Sequence, residues 1–514
     1  MPRTQDLLNH SGRNAFTGFS IPIIILVCLL TDTFPGFGQC TAPSFAPATK
    51  FAAGDGPYKM AVGDFNGDTN LDLAVPNINA DRVSILLGNG AGGFMLGGSF
   101  AVGHAPTAAA AGDFNSDGKL DLAVVNQTSF GNGDMSILIG NGAGSFSAPT
   151  SYRVIAFNSD VTVTDLNNDG KLDIVAGTYS ERLGNVKVLL GDGTGSFGAI
   201  GDFGGNGDAR SPVVADFNGD GKLDVAVAID SEVGDDLHTG TRISVLMGDG
   251  TGRFGAPTNF TVGIGPLSMD GGDLNGDGKL DLVVANGTSN NVSVLLGNGL
   301  GSFAAATNLA LQGFPNSVRL GDLNGDGKLD LVVSSNLSNT VSVLLGNGDG
   351  TFSLPTEFSV GTQPVSVVLG DFNGDNKHDI AVANFSSGDV SILINTCSTT
   401  NALPDRMAPG DFLLPGQFRQ SADGRFRLVY QFDGNLVLYQ GSTPLWGSGT
   451  WGTERGFAVM QGDGNLVVYD STKAVWASGT WGHPGAFLVV QGDGNTVIYS
   501  TGSSPLWATN TWGR

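Results

Sequence analysis

One nonapeptide pattern, Asp-x-Asn-x-Asp-x-x-x-Asp, occurs seven times in this chain, and successive copies start about fifty residues apart. The copies begin at Asp64, Asp113, Asp165, Asp216, Asp273, Asp322 and Asp371. A period of this length indicates a chain that repeats one supersecondary unit. The pattern therefore constrains the fold of residues 44–395 more than any other feature of the sequence.

Each unit predicts four short β-strands, which are rich in Val and Leu and separated by Gly and Asn turns. Four strands per unit, repeated seven times, are typical of the blades of a β-propeller. The last unit stops at Asn395 without the tail that ends the other units, whereas a matching segment, 44–51, stands near the beginning. We therefore expect an N-terminal strand to complete the seventh blade and remove two open sheet edges.

The repeated pattern also predicts a metal site, because oxygen donors at positions 1, 3, 5 and 9 of a tight loop suit a hard cation such as Ca²⁺. Position 6 is Gly in five copies, and it is Thr69 in the first and Asn376 in the last. A β-branched residue strains the left-handed turn expected there, so the first site should be the weakest. Asx turns that need no ion are the alternative. Three carboxylates in nine residues, however, repel one another without a cation.

The Asp-rich loops and the run Phe254-Gly255-Ala256-Pro257 resemble the FG-GAP (VCBS) repeat family, whose propellers include the head of integrin α chains. The resemblance covers about residues 44–395. It implies up to seven structural Ca²⁺ ions, bound by side chains at positions 1, 3, 5 and 9 and by the main-chain carbonyl of position 7. The implied ligands are Asp64, Asn66, Asp68, Asn70, Asp72, Asp113, Asn115, Asp117, Lys119, Asp121, Asp165, Asn167, Asp169, Lys171, Asp173, Asp216, Asn218, Asp220, Lys222, Asp224, Asp273, Asn275, Asp277, Lys279, Asp281, Asp322, Asn324, Asp326, Lys328, Asp330, Asp371, Asn373, Asp375, Lys377 and Asp379.

The N-terminal segment indicates an exported protein, and the net charge bears on its partners. The formal net charge is −23, which argues against nucleic acid as a partner because its binding needs clustered Lys and Arg. Residues 1–39 predict a secretory signal peptide with an apolar run too short to span a bilayer, so we expect a secreted, extracellular chain without membrane insertion. Cys28 would leave with the signal. Cys40 and Cys397 would then pair in an oxidising compartment, with two free thiols as the alternative.

We assign the seven units to a propeller domain at 40–397. A second repeat follows this domain. Residues 398–408 predict a linker. In residues 409–514 the pattern Gln-x-Asp-x-Asn-x-Val-x-Tyr occurs three times, thirty residues apart. Alternation along a strand would place its five residues on one face, where they offer amide, carboxylate, phenol and apolar groups to a monosaccharide. Hairpin turns at Asp-Gly-Asn are the alternative.

This pattern resembles the signature of the bulb-type (monocot mannose-binding) lectins. The resemblance implies a β-prism II domain of three four-stranded sheets, with one mannose site per copy and tryptophans in its core. We therefore expect all six tryptophans, which lie after residue 440, to be buried, with platforms for a ligand as the alternative. The implied carbohydrate-binding residues are Gln431, Asp433, Asn435, Val437, Tyr439, Gln461, Asp463, Asn465, Val467, Tyr469, Gln491, Asp493, Asn495, Val497 and Tyr499.

The sequence shows no catalytic constellation, since its five histidines are scattered and no nucleophile or phosphate-loop motif is visible. We therefore predict an all-β, non-enzymatic protein: a calcium-binding, seven-bladed propeller followed by a lectin domain that binds mannose-containing glycans. Two other functions stay open at this point. One is an enzyme with an active site on the propeller, and the other is a metal-dependent adhesin with a protein ligand. The lectin domain could also form a dimer.

Overall fold

The computed structural model describes residues 43–127, 133–154, 157–179, 186–204, 207–232, 239–397, 402–403, 405–452, 456–470 and 473–513. Every regular element within these ranges is a β-strand, as predicted. Within the same ranges no helix could cross a bilayer. The predicted signal peptide, 1–39, and the predicted disulfide partner Cys40 lie outside the described residues.

Six four-stranded antiparallel sheets are each built from four consecutive strands. In chain order these are β2 (Ala61–Gly63), β3 (Asp72–Asn77), β4 (Arg82–Gly88) and β5 (Phe94–Ala101); β6 (Pro106–Gly112), β7 (Asp121–Asn126), β8 (Gly133–Leu138) and β9 (Thr150–Val154); β10 (Phe157–Thr164), β11 (Asp173–Tyr179), β12 (Val186–Gly191) and β13 (Phe197–Phe203); β14 (Gly207–Ala215), β15 (Asp224–Glu232), β16 (Arg242–Leu246) and β17 (Thr258–Thr261); β18 (Pro266–Gly272), β19 (Asp281–Asn286), β20 (Asn291–Leu295) and β21 (Thr307–Ala310); β22 (Pro315–Gly321), β23 (Asp330–Ser335), β24 (Thr340–Leu344) and β25 (Thr356–Ser359).

The next sheet joins the two ends of the repeat array. It contains β26 (Pro364–Gly370), β27 (Asp379–Asn384) and β28 (Asp389–Leu393), and its fourth strand is β1 (Thr49–Ala52). β1 pairs antiparallel with β28, so that Thr49 lies opposite Ile392 and Ala52 lies opposite Asp389. The strand expected to complete the last repeat is therefore present.

The first strands of these sheets form a closed ring. Each first strand contacts the first strand of the following sheet, and β26 contacts β2. Serine hydroxyls join several of these strands: Val318 N donates to Ser268 Oγ at 3.2 Å, and Met60 N donates to Ser366 Oγ at 3.4 Å across the closure. A ring of radially arranged four-stranded sheets is a β-propeller.

The apolar runs of the second strands explain how the sheets pack. All six residues of β7 are buried, because both faces of the strand are covered by neighbouring sheets. One cluster of buried side chains, for example, joins Val83 and Ile85 of one sheet to Leu122 and Val124 of the next. Aromatic pairs add to this contact, as where Phe65 and Phe146 meet edge to face with 5.8 Å between ring centroids.

The C-terminal region forms three further sheets around a separate core. The strands are β29 (Ala402–Leu403), β30 (Arg406–Met407), β31 (Phe412–Leu413), β32 (Phe418–Gln420), β33 (Phe426–Tyr430), β34 (Leu436–Gln440), β35 (Thr443–Gly447), β36 (Phe457–Met460), β37 (Leu466–Tyr469), β38 (Ala474–Ala477), β39 (Phe487–Val490), β40 (Thr496–Tyr499) and β41 (Pro505–Ala508). Their orders in the three sheets are β29-β32-β33-β34-β35, β31-β36-β37-β38 and β30-β39-β40-β41.

The six tryptophans divide into an inner and an outer set. Trp446, Trp476 and Trp507 pack against the core of the three sheets and contact one another edge to face, with ring centroids 5.4–5.7 Å apart. The other three lie beyond the ends of the strands and are 70–71% exposed: Trp451, Trp481 and Trp512. The expectation that all six are buried is therefore wrong for the outer set.

Candidate metal loops and sugar-binding hairpins

Each Asp-rich loop connects the first and second strands of a sheet and is folded by its own carboxylates. In the loop between β6 and β7, Asp113 Oδ1 accepts Asp117 N at 3.1 Å, and Asp113 Oδ2 accepts Gly118 N at 2.7 Å. Asn115 Oδ1 accepts the same Asp117 amide at 3.0 Å. The bond from the position 6 amide to the position 1 carboxylate recurs in all seven loops at 2.7–2.8 Å.

Position 6 adopts a left-handed conformation in every loop, with φ between 64° at Asn376 and 82° at Gly170. Thr69 has φ 73°, so the strain expected there is present. Sequence reasoning missed a second left-handed position, position 4, where only Gly, Ser or Asn occurs. These residues are Gly67, Ser116, Asn168, Gly219, Gly276, Gly325 and Gly374.

The aspartate at position 9 anchors the loop to its sheet. In the second loop, Asp121 Oδ2 accepts Phe114 N at 2.9 Å, and Asp121 Oδ1 accepts Gly140 N at 2.7 Å. All seven of these aspartates are 0% exposed, and all make the equivalent pair of bonds: Asp72, Asp121, Asp173, Asp224, Asp281, Asp330 and Asp379. Position 9 therefore lies inside the protein.

Burial of this carboxyl group is electrostatically unfavourable. It raises the pKa of Asp330 to about 7, and the charges of Asp322 and Asp326 in the same loop raise that pKa further. Burial likewise raises the pKa of Asp72 and of Asp379 to about 6. Within each loop, three carboxylates thus repel one another, and the innermost of them has lost most of its hydration.

A lysine at position 7 offsets part of this negative charge. Lys119 Nζ lies 3.2 Å from Asp117 Oδ2, and the same pairing occurs at 3.0–3.7 Å in four further loops, at Lys171, Lys222, Lys279 and Lys377. The sequence prediction assigned this position only a main-chain role. The first loop has Asn70 instead of lysine.

The donor set of each loop fits a hard divalent cation, because it consists of carboxylate, amide and main-chain oxygens. Within the described residues, however, no three His, Cys, Asp or Glu side chains are gathered closely enough to hold a metal ion. The position 9 oxygens accept main-chain amides, and Asx bonds occupy positions 1 and 3. The same loop geometry is therefore compatible with the ion-free turns considered as the alternative.

In the C-terminal region, the repeated signature folds as a β-hairpin. Gln431 follows β33, and its amide N donates to Asn435 O at 2.8 Å, so the intervening residues form the turn before β34. Gly434 supports the turn with φ 85°. The prediction of one alternating strand is therefore wrong for the Gln-to-Asn segment, because Asp-Gly-Asn reverses the chain. Only the Val and Tyr positions lie in strands.

The hairpin nevertheless brings the signature residues together. Gln431 Nε2 donates to Tyr439 OH at 2.8 Å, and the same bond is 3.0 Å at Gln461–Tyr469 and at Gln491–Tyr499. This bond fixes the phenol and leaves its hydroxyl hydrogen to donate to another group. The same constellation of amide and phenol is thus present in all three sheets.

Asparagine and aspartate are held in fixed orientations next to this pair. Asn435 Oδ1 accepts Ser448 Oγ at 3.0 Å and Thr450 N at 3.1 Å, which leaves the Nδ2 hydrogens as the donors of this side chain. Asp433 Oδ1 accepts Asn435 N at 3.0 Å. The same Asx bond is made by Asp463 and by Asp493.

The valine of the signature is less accessible than the resemblance implied. Val437, Val467 and Val497 are only 3–4% exposed. They can contribute a small apolar floor beneath the polar groups, but not a broad surface.

Of the predicted disulfide, only one cysteine falls within the described ranges. Cys397 is buried and disulfide-bonded. Its pairing with Cys40 stays a prediction, since Cys40 lies outside those ranges.

Comparison with known proteins identifies the family of the Asp-rich repeats. The profile of a family described as FG-GAP-like repeat matches six segments, which together span more than half of the chain: residues 64–124, 113–176, 165–227, 233–284, 273–333 and 322–382. No curated protein sequence matches the chain. A crystal structure of BBS1N in complex with ARL6DN, soaked with lead, has 13% identity and a TM-score of 0.50, and the match covers 69% of this chain and 98% of that chain. At this identity the likeness concerns the fold alone.

Other solved structures match a shorter part of the chain. A monomeric monocot mannose-binding lectin from Gastrodia elata has 38% identity and a TM-score of 0.20, and the match covers 21% of this chain and 98% of that chain. The mannose-specific agglutinin from snowdrop (Galanthus nivalis) bulbs, complexed with methyl-α-D-mannoside, has 41% identity and a TM-score of 0.18. That match covers 21% of this chain and 96% of the agglutinin.

Proposed function

This chain belongs to the FG-GAP-like repeat family, and we propose that it is a secreted, non-enzymatic glycan-binding protein. In this proposal a seven-bladed propeller, stabilised by Ca²⁺, carries a three-sheet lectin domain that recognises mannose-type glycans. The observation that carries the proposal is the constellation of Gln, Asp, Asn and Tyr that is built in the same way in three sheets.

The constellation has the chemistry that a sugar needs. A pyranose presents neighbouring hydroxyls, each of which both donates and accepts hydrogen bonds. Asn435 Nδ2 supplies a donor, Asp433 supplies an acceptor, and Tyr439 supplies a phenol already oriented by Gln431. Because these groups are fixed by the hairpin before any ligand arrives, little conformational entropy is lost on binding. Three weak sites on one domain would gain avidity on a glycan surface that carries many copies of the sugar.

Calcium is proposed as the structural ion of the propeller loops. In the second loop the ligands would be Asp113, Asn115, Asp117 and Asp121, with the carbonyl of Lys119, and the other six loops would use the equivalent residues. When bound, the cation supplies positive charge beside three crowded carboxylates. What supports this is the raised pKa of the buried position 9 aspartates, because such groups are stabilised in their charged form by a nearby cation.

The same carboxyl groups favour a structural role over a catalytic one. Asp72, Asp330 and Asp379 have strongly raised pKa values, which often mark catalytic acids. Each of them is fully buried, however, and both of its oxygens accept main-chain amides. A substrate larger than a single ion could not reach these oxygens without breaking the loop.

A glycan array and calorimetry with the full chain test the proposal. We expect binding to mannose-terminated glycans, and we expect it to persist in EDTA because no metal loop lies in the sugar hairpins. Asn→Asp at Asn435, Asn465 and Asn495 should weaken this binding by about tenfold or more, since it replaces the Nδ2 donor by a charged acceptor. Asn308→Asp provides the control, because Asn308 is exposed in the propeller and its Oδ1 accepts from Ser293 Oγ, a bond that Asp can also make. Undiminished binding by the triple variant would contradict the proposal.

A further inference from the structure

The outer tryptophans, Trp451, Trp481 and Trp512, are not packed in the core of the C-terminal sheets. They are 71, 71 and 70% exposed, whereas their partners in the sequence pairs, Trp446, Trp476 and Trp507, pack against the core. Large aromatic side chains bury about 150–250 Å² when they pack. An exposed indole therefore does not contribute this buried apolar area to the stability of the fold. One such residue would need no explanation. Three at equivalent places with the same exposure indicate a common use.

Each outer tryptophan lies next to a sugar-binding hairpin and is held there by hydrogen bonds on both sides. The preceding residue, Thr450, donates its amide to Asn435 Oδ1 at 3.1 Å, and the following residue, Gly452, donates its amide to Asp433 O at 3.0 Å. Trp451 therefore sits between two main-chain amides that bond Asn435 and Asp433, the two residues that the proposed site uses for hydroxyls.

The other two copies repeat this arrangement. Thr480 N donates to Asn465 Oδ1 at 3.1 Å, and Thr511 N donates to Asn495 Oδ1 at 3.3 Å. On the far side of Trp512 the following residue, Gly513, donates its N to Asp493 O, whereas after Trp481 the donor is the second residue, His483, to Asp463 O; both bonds are 2.9 Å. The position of the indole relative to the polar groups is thus set by the backbone.

We propose that the three outer tryptophans are stacking platforms for a second pyranose, which extend each monosaccharide site into a site for an oligosaccharide. The proposal rests on the proposed function, because the neighbouring hairpin must hold the first sugar. The C–H face of a pyranose is apolar and flat enough to pack against an indole, while its hydroxyls stay in water. An exposed aromatic ring beside fixed polar groups suits such an amphipathic ligand.

A second copy of this chain suits the three tryptophans less well. They follow the last strands of three different sheets, which end at Gly447, Ala477 and Ala508. Stable contacts between copies use one contiguous apolar patch, whereas each of these indoles stands beside its own sugar-binding hairpin. An extended glycan needs only one platform beside each sugar hairpin.

Calorimetry with two ligands tests the inference on the full chain: methyl α-mannoside and an α-linked mannotriose. We expect the wild type to bind the trisaccharide about tenfold more tightly than the monosaccharide. In W451A/W481A/W512A this preference should disappear, while the monosaccharide affinity stays within about twofold of wild type. Trp→Phe at the same three positions should keep part of the preference, because a smaller aromatic plane remains.

The outcomes separate the inference from the proposed function. If the alanine variant keeps the trisaccharide preference, the stacking role is overturned. If that variant also changes from dimer to monomer in sedimentation, the tryptophans form a contact between copies instead. If the wild type binds neither sugar, or if N435D/N465D/N495D binds both unchanged, the proposed function fails and the inference falls with it.

Discussion

At the scale of single residues, comparison of the seven Asp-rich loops shows which residue types one backbone position accepts. Position 6 has a left-handed φ in all seven loops, yet its occupant differs between Gly, Asn and Thr. Glycine reaches this region without steric cost, and Asn tolerates it, whereas the β-branched side chain of Thr69 clashes with its own backbone. The first loop carries this strain and also lacks the lysine of position 7.

Thr69→Gly should therefore stabilise the protein. Removal of the strained side chain is expected to add about 1 kcal/mol to the free energy of unfolding. Gly118→Ala at the same position of the second loop should cost a similar amount, because a Cβ there would meet nothing within 4 Å and only the conformation changes. Urea denaturation measures both effects. Gly198→Ala is the control, since it has open space around it and no positive φ. Equal stability of all four proteins would show that position 6 is not strained.

At the scale of elements, buried asparagines connect neighbouring strands of the propeller. Asn126 ends β7, and its Nδ2 donates to Ser136 Oγ in β8 at 3.0 Å. Gly103, in the connection that enters this sheet, donates its amide to the same hydroxyl at 3.1 Å. Equivalent Asn–Ser bonds of 2.8–2.9 Å recur in three other sheets, at Asn77, Asn286 and Asn384. Polar groups thus hold the connection to the edge of an otherwise apolar core.

Gly103→Ala should break this connection. An added Cβ would lie 2.5 Å from Asp134 Oδ1 and 2.6 Å from Asn126 Nδ2, so a buried network must shift. We expect a loss of about 2 kcal/mol in the free energy of unfolding. Gly255→Ala is the matched control, since its nearest contact would be an ordinary 3.6 Å from Met247 O. A variant as stable as this control would show that the network adapts without cost.

The closing strand is a second element with a testable role. A chain that begins at residue 53 lacks β1 and leaves the edge of β28 unpaired, with its amides and carbonyls free to bind another strand. We expect this truncation to melt at a lower temperature and to associate at high concentration. A chain that begins at residue 43 keeps β1 and should remain monodisperse. If light scattering and melting do not distinguish the two, ring closure contributes little to stability.

At the scale of the whole molecule, the repeat period and the residue pattern predicted the architecture, but they did not predict the local geometry of the turns. The fifty-residue period predicted sheets of four strands and an N-terminal closing strand, because each unit must bury its faces against its neighbours. The signature hairpins were predicted as strands, because the Asp-Gly-Asn sequence is compatible with both an extended strand and a hairpin turn. Only the hydrogen bond between Gln431 and Asn435 distinguishes the two. The exposure of Trp451 was missed for a related reason. Composition indicates burial for tryptophan, but its location depends on where the strand before it ends.

The charge distribution predicts that stability depends on pH and, if the proposed calcium ions bind, on cations as well. In the cation-free protein, the pKa of Asp330 is raised from 3.8 to about 7, so the folded state binds more protons than the unfolded state between those values. The free energy of unfolding should therefore fall as the pH rises through this window, and the loss is complete above about pH 7. With saturating Ca²⁺ the fall should be largely abolished, because the ion stabilises the charged carboxylates.

Urea denaturation at pH 5 and pH 8, in EDTA and in calcium, measures this coupling. The expected result is that EDTA destabilises the chain more at pH 8 than at pH 5. Asp330→Asn should reduce the pH dependence in EDTA, because one buried titrating group has been removed from the seven. The exposed Asp349→Asn removes a carboxylate without burial and should leave it unchanged. A chain that is equally stable at both pH values, with or without calcium, would mean that the two amide bonds of each buried aspartate already offset its charge. The loops would then be turns that need no ion.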